Sequence, residues 1–286
     1  MKKNFIFAHL IFEKMENKTL FVDLENVLEK RNPRLKKILP NFVIQWFKRL
    51  IHQDDINETL HKIGDKEGLE FLDKALEVLN VKSNVIGIEN LPADSRIICA
   101  SNHPLGGLDG MIFMQVIGKH YGKVKAIIND LLLNIKGLQP LFAGVNTLGK
   151  NSREQLQQLN EIFSSEIPMI VFPAGLVSRK INHKICDLKW KKSFISQAIQ
   201  FKRNIIPIFI DGKNSNSFYR IANLRKFFNL KTNLEMMLLP REFFNYRNKT
   251  VTLKIGKPIP YQFFDNSKSR DDWADWVKDE VYKMSI

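Results

Sequence analysis

The chain has 286 residues, with 44 lysines and arginines against 30 aspartates and glutamates, giving a formal charge of +14 and a pI near 9.6. Its 44% hydrophobic content and mixed charge exclude wholesale disorder, and its length holds one large domain, alone or with a helical extension. No apolar stretch reaches the roughly 18 to 20 residues that span a bilayer, and the two distant cysteines, Cys99 and Cys186, point to a reducing compartment rather than to a disulfide framework or a zinc site.

The opening has a basic start and a short apolar run from Phe5 to Phe12, but His9 interrupts it and Glu13 to Lys18 follows in place of small cleavage-site residues. No export signal is expected; a short amphipathic anchor or a start at Met15 are the alternatives. From Leu20 to about Lys82 the pattern is helical. Phe42, Ile44, Phe47, Leu50 and Ile51 recur among Lys48, Arg49 and His52, Asp54 and Asp55 are helix-start signals, and Leu69 to Leu79 repeats apolar residues at three and four. Such a region supplies packing, and a basic amphipathic helix can also lie on a lipid surface.

After Val85 strands and helices alternate. Strands are predicted at Val85–Ile88, Arg96–Ala100, Val124–Ile128, Phe142–Leu148, Met169–Phe172, Ile205–Ile210 and Thr250–Ile255. Helices are predicted at Gly110–Lys119, Arg153–Ser164, Lys191–Phe201, Phe218–Phe228 and Asp271–Met284. This alternation implies an α/β fold with a largely parallel or mixed central sheet flanked by helices. Residues 1–82 form the N-terminal helical region and 83–286 the α/β domain.

The stretch Ser101-Asn102-His103-Pro104-Leu105-Gly106-Gly107-Leu108-Asp109-Gly110 reads as a strand opening into a tight loop and then a helix. Pro104 pushes His103 towards extended backbone, and Gly106 and Gly107 let the chain turn, so His103 and Asp109 can approach. A carboxylate holding one imidazole nitrogen stabilises the imidazolium formed when the other nitrogen takes a proton. The bland reading, a loop histidine hydrogen-bonded at a helix start, stays open on spacing alone. Phe172 to Lys180 places Pro173, Gly175, Ser178 and Arg179 at a strand end, where an exposed turn and a guanidinium suit a phosphate or carboxylate. Gly144 to Lys150 ends another strand on a basic residue, and Ile206 to Gly212 is an apolar strand entering a turn.

Taken in order, these four blocks resemble the glycerolipid acyltransferase family, whose best-known members are the 1-acylglycerol-3-phosphate acyltransferases. Asn102-His103 and Asp109 resemble its His/Asp block; Gly144, Leu148 and Lys150 its second block. Phe172-Pro173, Gly175, Ser178 and Arg179 resemble its Phe-Pro-Glu-Gly-Thr-Arg-Ser block, and Pro207 with Gly212 its fourth. The longer spelling of the His/Asp block, with Asn32-Pro33-Arg34-Leu35 and His52-Gln53-Asp54-Asp55 upstream, resembles a Bacteroidetes branch associated with O-acylation of glycine and ornithine lipids. Two departures stand out. Five residues separate His103 from Asp109 where the family usually has four, and Ala174 stands at the family's glutamate, which implies a different acceptor head group.

The resemblance implies a membrane-lipid biosynthetic enzyme that moves a fatty acyl chain from an acyl thioester to a lysolipid hydroxyl. The acceptor is a mono-acylated amino-acid lipid or lysophosphatidic acid. His103 is the base and Asp109 its orienting partner. Asn102, Gly106, Gly107, Lys150, Gly175, Ser178 and Arg179 are expected to bind substrate. No cofactor or metal is expected, and acyl carrier protein or coenzyme A brings the acyl group. The positive charge fits an acidic carrier and an anionic membrane surface on the inner face of the cytoplasmic membrane. The alternative is a thioester or lipid hydrolase using the same His/Asp pair, although no Gly-x-Ser-x-Gly turn is present. Metal binding through His103, Asp109 and His183 lacks ligand spacing, and nucleic acid is not an expected partner because the basic residues are scattered without a reading module.

Overall fold

The structure is a computed structural model that describes residues 22–31, 33–127, 135–143, 153–230 and 233–285. Among the described residues five helices come first: α1 (Leu24–Arg31), α2 (Pro33–Ile38), α3 (Asn41–Leu50), α4 (Gln53–Ile63) and α5 (Gly68–Val78). The α/β part follows with β1 (Lys82–Ile86), β2 (Ile97–Ser101), α6 (Gly107–Tyr121), β3 (Lys125–Ile127), β4 (Phe142–Ala143), α7 (Arg153–Ser164) and β5 (Met169–Val171). It continues with β6 (Arg179–Ile181), β7 (Lys184–Cys186), α8 (Ser193–Gln200), β8 (Asn204–Asp211), α9 (Asn216–Phe227), α10 (Leu239–Phe244), β9 (Thr250–Ile255) and α11 (Arg270–Lys283).

Among the described residues seven strands form a mixed sheet in the order β1-β9-β8-β2-β5-β3-β4, in which only the β8–β9 pair is antiparallel. The expected α/β class with flanking helices is what the chain adopts. β2 lies in the middle of the sheet and every one of its residues is buried, which is why it reads as a continuous apolar run rather than an alternating one. Alternation survives in the packing. Ile97 and Cys99 join one core with α5 and α6, while Ile98 and Ala100 join the other with α8 and α11. The α5–α6 contact needs a missing side chain, because a Cβ on Gly118 would fall 2.3 Å from Leu69. Pro207 is tolerated in β8 because it falls where the regular β9 ladder, Ile208 to Asp211, breaks off, and it contributes only its C=O, which accepts from Gly256 N at 2.9 Å.

Arg203, at the approach to β8, is fully buried. Its Nε donates to Phe163 O at 2.8 Å, Nη1 to Ile97 O at 3.2 Å and Ile167 O at 2.8 Å, and Nη2 to Ile162 O at 3.2 Å and to Ser165 O. One side chain thus satisfies the open carbonyls at the end of α7 and ties β2, β5 and β8 together. Burial pushes the guanidinium down to about 10.

Most predicted elements are present with shifted ends. β1 begins at Lys82 rather than Val85, and the expected strand from Phe142 is described only at Phe142–Ala143, its remainder lying outside the described residues. The β6–β7 hairpin is an addition to the predicted elements. Its turn residues Asn182 and His183 take φ of 48° and 64°, the conformation a two-residue hairpin turn demands, but strands of three residues are too short to show an alternating pattern. Among the described residues no helix is long and apolar enough to cross a membrane.

Candidate active site

β2, β5 and β8 run parallel, so their carboxyl ends open on one edge of the sheet, where sites in such folds gather. Where β2 ends, Asn102 takes over its pairing with side-chain atoms: Nδ2 donates to Ile210 O at 2.9 Å and Ile210 N donates to Oδ1 at 2.7 Å. This pair of hydrogen bonds to β8 lets the main chain leave the sheet at His103 without orphaning the peptide groups of Ile210.

The chain then turns through Gly106, at φ 81° and ψ −125°, a region open in practice only to glycine, and enters α6 at Gly107. The positive φ falls on Gly106 and not on Gly107. Asp109 falls in the first turn of α6, where the helix dipole favours a carboxylate, and is 0% exposed. Its Oδ2 accepts from Leu105 N at 2.8 Å and its Oδ1 from Gly110 N at 2.8 Å. Nδ1 of His103 lies 3.0 Å from the same Oδ1. The angle is off that of a linear hydrogen bond, so buried Nδ1 has an ionic neighbour and no aligned acceptor; catalytic contacts of this kind commonly tighten once substrate is in place.

The imidazole stacks on Phe172 with ring centroids 4.2 Å apart, and its side chain is 18% exposed. With Nδ1 against Asp109 and one face on Phe172, Nε2 on the opposite ring edge is the nitrogen left to take a proton. Burial pulls the imidazole towards a lower pKa, but the adjacent Asp109 carboxylate, aided by the charge of Asp187, outweighs burial and the opposing Arg179, and the pKa stands above 6.5. The arrangement is that of a base strengthened by an adjacent carboxylate.

Asp187, just past β7, is 2% exposed and reaches the same loop. Its Oδ1 accepts from His103 N at 3.2 Å and from Ser178 Oγ at 2.5 Å, and its Oδ2 accepts from Trp190 Nε1 at 2.9 Å. Ser178 N donates to His103 O at 2.8 Å. Burial holds the Asp187 carboxyl above the usual carboxylate range despite these three donors.

The other residues predicted to bind substrate divide between buried partners and open positions. Ser178 is engaged with Asp187. Gly175, at φ 67°, makes the turn between Phe172 and Ser178, where a Cβ would approach Lys191 Nζ to 3.2 Å. Arg179 is 7% exposed. Its Nη2 donates to Glu235 Oε1 at 2.9 Å and its Nη1 to Val177 O and Ser178 O, while Arg225 Nε donates to Glu235 Oε2 at 2.9 Å. Burial lowers the Arg179 pKa and Glu235 partly restores it. Any anion at Arg179 shares the guanidinium with a fully buried carboxylate. Gly144, Leu148 and Lys150 lie outside the described residues. Among the described residues no group of three or more His, Cys, Asp or Glu side chains gathers as a metal ion requires.

Sequence reasoning does not find Asp187, Glu235 or the stacking role of Phe172. Asp187 lies 84 residues from His103, and neither it nor Glu235 sits in a motif; each acts through a long-range contact that spacing does not encode.

A family model described as Acyltransferase matches residues 26–285. The lyso-glycine lipid O-acyltransferase of Bacteroides thetaiotaomicron is 45% identical over 272 residues, covering 94% of this chain and 100% of that protein. The lyso-glycine lipid O-acyltransferase of Phocaeicola vulgatus is 41% identical over 273 residues, covering 95% of this chain and 98% of that one. The crystal structure of the 1-acyl-sn-glycerophosphate (LPA) acyltransferase PlsC from Thermotoga maritima is 18% identical, covering 98% of this chain and 92% of that chain, with a TM-score of 0.49.

Proposed function

The chain belongs to the acyltransferase family, and from that premise we propose that it transfers a fatty acyl group from an acyl thioester to the hydroxyl of a mono-acylated glycine lipid. The observation that carries this reading is the 3.0 Å approach of His103 Nδ1 to the buried Asp109 carboxylate, in a chain that aligns along nearly its whole length with lyso-glycine lipid O-acyltransferases.

In the proposed reaction His103 Nε2 removes the proton from the acceptor hydroxyl as its oxygen attacks the thioester carbonyl carbon. Asp109 orients the imidazole and stabilises the imidazolium. The start of α6, from Gly106 to Asp109, directs main-chain N–H groups and the positive end of the helix dipole towards the developing oxyanion. When the C–S bond breaks, the imidazolium returns its proton to the departing thiolate, leaving an ester and a thiol. No covalent acyl-enzyme is needed.

The donor is acyl carrier protein or coenzyme A carrying the acyl group as a thioester, and the net charge of +14 favours either anionic carrier. The enzyme works as a peripheral protein on an anionic membrane, on the inner face of the cytoplasmic membrane. Two exposed apolar faces support this placement: Phe42, 74% exposed, with Trp46 on α3 beside Lys48 and Arg49, and Phe227, 81% exposed, with Leu224 and Phe228 at the end of α9 beside Lys226. Contiguous apolar surface rimmed by cations fits an anionic lipid interface.

The test is an assay of purified protein with a labelled acyl thioester, with and without lyso-glycine lipid. Thiol release that depends on the acceptor, together with a di-acylated product in mass spectra, is the expected result. Equal thiol release without acceptor would make the protein a thioesterase, and preference for lysophosphatidic acid would reassign the acceptor.

A further inference from the structure

Two buried carboxylates close on the His103 loop from different parts of the chain, and the proposed reaction uses only one. Asp109 meets the imidazole. Asp187 meets the peptide that carries it. The His103 main chain is gripped at both ends, its N–H by Asp187 Oδ1 at 3.2 Å and its C=O by Ser178 N at 2.8 Å, and the 2.5 Å bond from Ser178 Oγ to Asp187 Oδ1 closes the ring.

Asp187 is itself fixed from three further directions. Trp190 Nε1 donates to Oδ2 at 2.9 Å, Asp187 N donates to the Tyr282 hydroxyl oxygen at 2.7 Å, and Lys278 Nζ donates to Asp187 O at 2.9 Å. Tyr282 and Lys278 lie on α11, so the clamp transmits the position of that helix to the catalytic loop. We propose that Asp187 is a positioning residue for His103: as a buried anion bonded to the histidine's own N–H, it fixes the imidazole against Asp109 and adds a second negative charge beside it. This rests on the reading of His103 as the base.

A buried aspartate commonly satisfies main-chain N–H groups; here the N–H is that of His103 itself, so the clamp acts on the residue that carries the imidazole. A carboxylate kept buried with only three neutral donors on its oxygens costs stability, and Asp187 sits where that cost has a use, across the peptide from the group that must become cationic. The charged or titratable groups acting on the imidazole are Asp109, Asp187 and Arg179; those around Asp187 are His103, Lys278 and Tyr282, with Cys186 adjacent in sequence.

The experiment compares Asp187→Asn, Ser178→Ala, Trp190→Phe and His103→Ala, measuring kcat, KM for donor and acceptor, and the pH dependence of kcat. An asparagine keeps an oxygen for His103 N–H and Ser178 but removes the charge and the acceptor for Trp190 Nε1, a loss that Trp190→Phe reproduces alone. Displacing a catalytic group by about 1 Å costs up to ~100-fold in rate, so Asp187→Asn is expected to lower kcat about 10- to 100-fold with KM little changed and to move the acid limb of the profile to lower pH. Ser178→Ala keeps the charge and opens the ring, so kcat falls while the acid limb stays in place. Trp190→Phe removes the indole donor and some core volume, keeps the charge of Asp187 and leaves the limb in place as well. Wild-type kcat with an unmoved acid limb in Asp187→Asn, while His103→Ala is inactive, would overturn the positioning role and leave the base assignment intact. Activity in His103→Ala would instead remove the reading beneath it. Should Asp187→Asn fail to fold, full turnover in Ser178→Ala would still overturn the clamp.

Discussion

Replacing Asp109 by asparagine removes the charge of the site. The side chain keeps its shape and an oxygen for Leu105 N–H, but its NH2 then faces Gly110 N–H, which loses its acceptor, and the negative charge 3.0 Å from His103 Nδ1 is lost. Two unit charges at that separation attract by about 5 kcal/mol at an effective dielectric near 20. Allowing for incomplete charge development in the transition state, a loss of about 3 to 5 kcal/mol corresponds to a fall in kcat of ~100- to 10,000-fold. KM should change little, because the carboxylate is fully buried and bonded within the chain.

The pH profile gives an independent sign. In the wild-type site the imidazole pKa is raised, so the base is protonated and inactive at low pH and the acid limb lies above the ordinary histidine value of 6.5. Asparagine removes the charge that does most to oppose burial, and burial alone lowers the pKa, so the limb moves to lower pH. The same linkage makes the His103–Asp109 contact contribute fully to stability below about pH 6.5 and progressively less as pH rises through the folded-state pKa. Steady-state transfer assays across about pH 5 to 9 read both quantities. A variant retaining kcat within about threefold and an unmoved acid limb would refute the role assigned to the carboxylate.

Two further outcomes follow from other parts of the molecule. Arg203→Met removes five donated bonds and leaves the carbonyls of Ile97, Ile162, Phe163, Ser165 and Ile167 without that donor; destabilisation of about 3 to 5 kcal/mol is expected in urea unfolding, and a loss below about 1 kcal/mol would contradict the tie assigned to it. Phe227→Asp with Phe228→Asp should weaken sedimentation with phosphatidylglycerol-containing vesicles by ~100-fold or more, since each inserted phenyl ring contributes about 1.5 to 3 kcal/mol, while transfer to detergent-dispersed acceptor persists. Unchanged vesicle binding would remove this face from the membrane contact.

The α/β framework is legible in the sequence because its central strands β2, β5 and β8 are buried on both sides and helices alternate with the strands, so period and punctuation agree through most of the chain after Val85. His103 and Asp109 are legible for a related reason: Pro104 and Gly106 dictate the turn that brings them together, and both lie within one local segment. What spacing hides is what tertiary contact decides. Arg179 reads as an open cation in sequence, yet Glu235, 56 residues away, takes its charge in the fold. Asp187 follows the short β6–β7 hairpin, whose three-residue strands carry no periodic signal, and its partner His103 N–H is a main-chain group with no sequence signature. The buried Arg203 likewise looks like one more surface cation until carbonyls from separate elements converge on it.

The most direct measurement is acyl transfer by purified His103→Ala, run with an acyl thioester and lyso-glycine lipid beside the wild-type protein and checked for an unchanged thermal melt. A general base contributes about 100- to 10,000-fold, so product should fall by at least ~100-fold while the fold is retained. Wild-type rates of di-acylated product from a folded His103→Ala protein would contradict the assignment of this imidazole as the base.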